Sequence, residues 1–325
     1  MKAQTPFDPI AAVKSSDLYS FIERTLPELR RIGQGGLTKD DGPYGVGARM
    51  LTEWHDETEG RPQVHVVGPT LCRQFAETDI DSLDPQDCVG QRGEWVCLCL
   101  QYFAGEVTPL VLLLRWEVAE DDGSPILGLA VVHQYGTDRW VSSIGVRKLE
   151  GEWRFIHSKG SACFERSGAL SHVGEHEPLL AELWAQVGIA AAAYLRTVDA
   201  EARQVYDGEV ERQAALKRPG KGTRSQRRAA ANTLPRWRVI WVGETNEARP
   251  RRVPEATHSS PTRHYRRGHF HRFWVGTRVD SEGAARLGER LVLKWVAPLW
   301  VDGPEPTSPT RTLIASVTDR DGDLP

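Results

Sequence analysis

Apolar positions recur at helical spacing near the start of the chain. Leu18, Phe21, Ile22, Leu26 and Leu29 fall three and four apart and line one face of a predicted helix, with Ser16 and Asp17 available as caps. Pro27 interrupts that face and predicts a kink or a split. A Gly-rich break, GQGGLTKDDGPYGVG, follows, and then a short helix over 48–56. Gly33, Gly35 and Gly36 lack both the preceding apolar strand and the following Gly-Lys-Ser/Thr of a phosphate loop, so they read as plain loop.

Between residues 94 and 156 the pattern shifts to β-branched and aromatic runs. EWVCLCLQYF, LVLLLRWEV, ILGLAVVH and WVSSIGVRKL are punctuated by Asp121-Asp122-Gly123 and Gly136-Thr137-Asp138, and a fifth run covers Trp153 to Ile156. Connections this short fit an antiparallel meander rather than parallel strands with helical crossovers. Cys97 and Cys99 share a strand face. They have no second Cys/His pair at matching distance, so buried free thiols are expected there rather than zinc.

Residues 177–216 read as helical. Leu179, Leu180, Leu183, Trp184, Val187 and Ile189 carry the apolar side, AAAAYLRTV extends it, and the more polar stretch from Ala200 to Lys217 faces water. Residues 217–235 have the composition of a flexible basic linker. Strand candidates at 237–242, 291–301 and 311–317 complete the chain. The expected class is α+β: N-terminal helices, a central antiparallel sheet, a long helix, and a C-terminal β-rich basic segment. The expected organisation is an α+β body over 1–216, a basic linker over 217–235 and a C-terminal β-rich segment over 236–325.

Composition narrows the class without naming a function. The 325 residues are 40% hydrophobic and 26% charged, ordinary globular usage. Apolar runs such as Pro109 to Leu114, which ends at Arg115, are far short of the ~20 residues of a membrane helix. The N-terminus has no apolar segment followed by a cleavage pattern, and five cysteines do not make a disulfide framework, so a cytoplasmic location is expected. The net charge of −3 conceals a split: Lys217 to Arg272 holds 15 Lys and Arg against Glu244, Glu247 and Glu255, giving +12 there and −15 elsewhere. A basic strip on an acidic body is the footprint of a polyanion partner, or of a solvated segment that offsets the body's charge.

The densest chemistry lies in HYRRGHFHRFWVGT, residues 264–277. As an extended strand it places His269, His271 and Phe273 on one face and Phe270, Arg272 and Trp274 on the other. Arg263, Tyr265, Arg266, Arg267, Gly268, His269, Phe270, His271, Arg272 and Trp274 are the candidate nucleic-acid or partner-binding residues. Arginine forks match phosphate or carboxylate, rings offer stacking faces, and Gly268 permits a close backbone approach or a positive φ. Two other readings stay open. His269 and His271 are candidate catalytic residues as a general acid/base pair on RNA, although no third ligand stands nearby to make a metal site. Alternatively, the rings pack a terminal β-subdomain while the arginines pair with the acidic body. His172 with His176, His55 beside Asp56 and Glu57, and Ser161 with Cys163 are weaker, reading respectively as a helix start, a solvated helix end and a loop.

The run HYRRGHFHRFWVGTR, a short variable insert and LVLKWVAPLWVDG together resemble the C-terminal signature of the phage- and plasmid-borne family of the second type V-A anti-CRISPR protein. The resemblance is strongest over residues 264–302, with weaker parallels at Glu94-Trp95-Val96-Cys97 and in the helix from Leu179 to Leu195. It implies suppression of a type V-A Cas effector nuclease through recognition of its nascent N-terminal polypeptide, followed by loss of its mRNA. The implied partners are that nascent chain and the mRNA or ribosome, with no membrane and no cofactor, and it supplies no catalytic set. The bottom-up alternatives are an RNA-cleaving enzyme using His269 and His271, or a plasmid or phage nucleic-acid-binding regulator.

Overall fold

The computed structural model describes residues 18–34, 44–59, 61–100, 107–118, 125–135, 138–164, 170–175, 181–197, 200–217, 222–232, 234, 236–243, 264–275 and 290–301. The strand candidate at 311–317, the arginines at 249–263 and His176 lie outside the described residues. Two helices, α1 (Leu18–Gln34) and α2 (Tyr44–Glu57), precede strand β1 (Gln63–Val67), helix α3 (Pro69–Ala76), the short β2 (Thr78–Asp79) and α4 (Pro85–Cys88). Strands β3 (Trp95–Leu100), β4 (Val107–Val118), β5 (Pro125–Tyr135), β6 (Asp138–Leu149), β7 (Glu152–Phe164) and β8 (Leu170–Glu175) follow. Then come α5 (Ala181–Tyr194), β9 (Ala202–Asp207), α6 (Gly208–Lys217), α7 (Arg224–Asn232) and β10 (Arg238–Val242). The chain closes with β11 (His264–Arg266), β12 (Gly268–Val275), β13 (Arg290–Val296) and β14 (Leu299–Val301). The class is α+β.

A nine-stranded sheet in the order β8-β7-β6-β5-β4-β3-β1-β10-β9 forms the centre. From β3 to β7 it is the antiparallel meander that the short connections predict, and β8 adds one more antiparallel strand at the edge. It becomes mixed because β1 lies parallel to both β3 and β10. Strand alternation sends two apolar rows to opposite faces. Val64, Val66, Cys97, Cys99, Val111 and Leu113 join Phe21, Ile22, Leu29, Leu51 and Trp54 of α1 and α2 on one side. Leu98, Leu100, Leu112, Leu114, Leu129 and Val131 join Phe75 of α3 and Trp184, Val187 and Ile189 of α5 on the other. Each fully buried large side chain contributes about 1.5–3 kcal/mol. Burial pushes the Cys97 thiol well above its usual range, consistent with an inert core position.

Helix α5 is buried almost all round, as its uniformly apolar sequence requires. A Cβ built at Gly188 would stand 2.4 Å from Leu112 Cδ2, so only glycine lets this helix lie so close to β4.

Several local expectations change in three dimensions. Pro27 does not divide α1, which runs through it; the buried Phe21, Ile22, Leu26 and Leu29 hold both turns on the sheet. The helical stretch expected over 177–216 is broken by β9, where Ala202–Asp207 pairs with β10 despite helix-forming composition, because the sheet edge offers backbone partners. The basic stretch read as linker contains α7, packed through the buried Ala231. The strand at 238–242 joins the body sheet between β1 and β9. Ser161 and Cys163, read as loop, lie in β7, and His172, read at a helix start, lies in β8. No described helix is long and apolar enough to cross a membrane.

Candidate functional site

The C-terminal motif folds into two small ladders beside the main sheet. Strand β11 pairs antiparallel with β14, and β12 pairs antiparallel with β13 and, at Gly268 and His269 alone, parallel with β2. The close approach expected of Gly268 is made to the protein's own chain. A Cβ there would meet Thr78 Oγ1 at 2.7 Å and Pro298 Cδ at 2.9 Å.

One face of the β12–β13 hairpin is consumed by the fold. Phe270 is buried in the core shared with α5. Opposite it in register stands Trp295, whose ring meets Phe75 at 5.1 Å and Tyr194 at 5.4 Å and whose Nε1–H donates to Thr78 Oγ1 at 3.3 Å. Arg272, two residues along, reaches the loop before α4. Its guanidinium donates to Ser82 O at 3.2 Å and Asp84 Oδ2 at 3.5 Å, and it forms an ion pair with Asp87. Lys148 ties down the same loop, donating to Leu83 O at 2.6 Å and Asp81 O at 2.8 Å, while Trp153 Nε1–H donates to Ile80 O at 2.8 Å. Burial raises the Asp87 carboxyl above its ordinary range, outweighing the opposing pull of the Asp84 backbone N–H, Arg272 and Lys148.

The other face carries His269, His271 and Phe273 in a row, as the alternation predicts. His269 Nδ1–H donates to Arg267 O at 3.4 Å, and His271 and Phe273 meet edge to face with centroids 4.4 Å apart. His271 and Phe273 are exposed, and Lys294 of β13 stands opposite His271 in register. Arg266 and Arg267, both exposed, lead into the row. Trp274 and its register partner Leu291, at the far end of the face that carries Phe270 and Arg272, are also exposed.

The structure therefore splits the sequence candidates. Arg266, Arg267, His269, His271 and Trp274 remain accessible; Phe270, Gly268 and Arg272 are taken up by internal contacts; Tyr265 is placed by its backbone in β11; Arg263 lies outside the described residues. Lys294 was not legible as a site residue, because only strand register places it across from His271. As a catalytic pair, His269 and His271 are in contact with a backbone carbonyl and a phenyl ring respectively, and Asp79 of β2 is the residue beside His269 in register. Among the described residues no group of three His, Cys, Asp or Glu is arranged to hold a metal ion.

A second feature is an open groove of about 580 Å³ between α1–α2 and α6–α7, lined by Glu23, His55, Asp56, Glu59, Arg212, Asn232 and Arg236. His55 sits 3.4 Å from both Glu23 and Asp56. Burial acts to raise Asp56, but the hydrogen bonds and charges of Arg30 and His55 outweigh it and hold the carboxyl below its ordinary range. Its acids Glu23, Asp56 and Glu59 stand against Arg212 and Arg236, and Glu23, His55 and Asp56 are already engaged with one another and with Arg30.

The protein is thus a mixed-sheet α+β fold whose C-terminal hairpin presents cations and rings. The AcrVA2-like family, the anti-CRISPR type V subtype A2 family, matches residues 106–303, well over half of the chain and including both the meander and the hairpin. The chain belongs to that family and is an anti-CRISPR protein by membership. A crystal structure of AcrVA2 aligns with 90% of this chain and 98% of its own, at 10% sequence identity and a TM-score of 0.38. No curated protein matches the sequence.

Proposed function

We propose that this protein suppresses a type V-A Cas effector nuclease on behalf of a mobile element, by recognising the effector's nascent N-terminal polypeptide and promoting loss of its mRNA. The family match over residues 106–303 is the observation that carries this reading. The accessible cations and rings of the C-terminal hairpin support it, since contact with RNA or ribosome calls for phosphate-binding and stacking groups. The activity needs docking surfaces rather than small-molecule chemistry, and no cofactor enters it.

Co-expression with a type V-A effector in a bacterial cytoplasm tests the proposal. Effector protein and transcript both fall if the reading holds. A normal transcript level with inhibited effector would defeat the co-translational mechanism, while normal levels of both with full interference would defeat the proposal altogether.

A further inference from the structure

We propose that the outward face of the β12–β13 hairpin is a platform for single-stranded nucleic acid, with bases stacking on Phe273 and His271 and phosphates meeting Lys294, Arg266 and Arg267. This deepens the function proposed above and rests on it only for the setting in which the strand is met.

Three observations carry the assignment. The first is the row of rings. His269, His271 and Phe273 project from one side of a strand at every second residue, about 6.6 Å apart by strand rise. His271 and Phe273 are exposed and meet edge to face. The second is the placement of charge. Lys294 faces His271 across the ladder and the exposed Arg266 and Arg267 precede the row, whereas the hairpin's carboxylate-paired arginine, Arg272, is on the opposite face. The cation that the body's acids capture, Arg272, is thus on the opposite face of the hairpin from Lys294. The third is width. The hairpin face is two strands across, about 4.8 Å between strands, which suits one unpaired strand. Stacking on side-chain rings requires bases that are not already stacked inside a duplex. An acidic peptide matches the cations but gives the ring row no planar partner, so the observations favour a nucleic acid.

The experiment is fluorescence anisotropy on the purified full-length chain with labelled oligo(U) and oligo(dT) of about 12 nucleotides, within the site sizes of single-strand binders. Duplex RNA and poly-glutamate serve as competitors. Phe273→Ala is expected to weaken binding about 5- to 150-fold, the loss of one base–aromatic stack, while Phe273→Tyr keeps it. Lys294→Gln is expected to reduce the slope of log affinity against log salt by about 0.7, one phosphate on a single strand. Preference for oligo(U) or for oligo(dT) supports the platform either way and identifies whether the strand is RNA or DNA. Absence of binding at low salt, equal competition by duplex or poly-glutamate, or wild-type affinity in both Phe273→Ala and Lys294→Gln overturns it. Far-UV circular dichroism and a thermal melt verify that each variant is folded. Because no Cas effector is present, failure here leaves the transcript assay standing, and failure of that assay leaves this binding result standing.

Discussion

Phe270 and His271 are neighbours in the chain, yet Phe270 is 3% exposed inside the main core while His271 stands in solvent against the Phe273 ring. The same division continues along β12. Arg272 turns inward to Asp84 and Asp87, whereas His269 and Phe273 stay on the other side. A basic-aromatic run in a sequence looks like one interface, but period-two alternation deals its residues to two faces with different work. The inward half fastens the hairpin to α3, α5 and the loop before α4; the outward half is what remains for a partner. Substitutions that separate the two halves test this division directly.

The largest expected effect is on the inward side. Phe270→Ala should cost about 3–5 kcal/mol of unfolding free energy, the usual range for removing a buried phenyl ring, measured by urea denaturation. Arg272→Gln comes next, at about 1.5–3 kcal/mol, because it removes a charge-assisted contact and leaves Asp87 half-buried without its guanidinium. Combining Arg272→Gln with Asp87→Asn should recover part of that loss. A double-mutant cycle with no coupling would mean that the pair does not fasten the loop.

The inward face also carries a pH signature. The folded-state pKa of Asp87 is raised, so its carboxyl binds a proton in the folded chain at pH values where the unfolded chain has released it. Its contribution to stability is full below the ordinary aspartate value of 3.8 and is lost as pH rises through the folded value. Plotted as wild type minus Asp87→Asn, denaturation free energy should therefore decline with rising pH across that window. A flat or rising difference would contradict the burial that sets the shift.

Legibility followed the range of the interactions. The meander from β3 to β7 was readable because each strand is long, rich in β-branched and aromatic residues and bounded by turn residues. The face-sharing of Cys97 with Cys99, and of His269 with His271 and Phe273, followed from alternation alone. Strand β1, only Gln63–Val67, was too short to announce itself, and β9 was hidden because Ala202–Asp207 owes its extended form to β10 rather than to its own propensity. The capture of Arg272 could not be read at all. Its partners Asp84 and Asp87 lie more than 180 positions earlier, one in the loop before α4 and one within α4, a segment whose course depends on Lys148 and Trp153. The charge split predicted a polyanion partner or internal neutralisation; Arg272 with Asp84 and Asp87 is a case of the second, and the first is left to the binding assay.

The smallest expected effect on stability is therefore the most discriminating. Phe273→Ala removes as large a ring as Phe270→Ala from the same strand, three positions further on. Phe273 is 36% exposed, and its recorded ring neighbour is the exposed His271. A ring open to solvent on one side leaves no enclosed cavity when it is removed, although part of its surface is covered beside the buried Val292, so the change in unfolding free energy should be about 1 kcal/mol, well below that at Phe270. A loss of several kcal/mol would mean that the outward row is also part of the fold, and the contrast between the two faces would vanish. A small loss, beside the large one at Phe270, would leave the exposed ring without a structural reason for its place and assign it to binding.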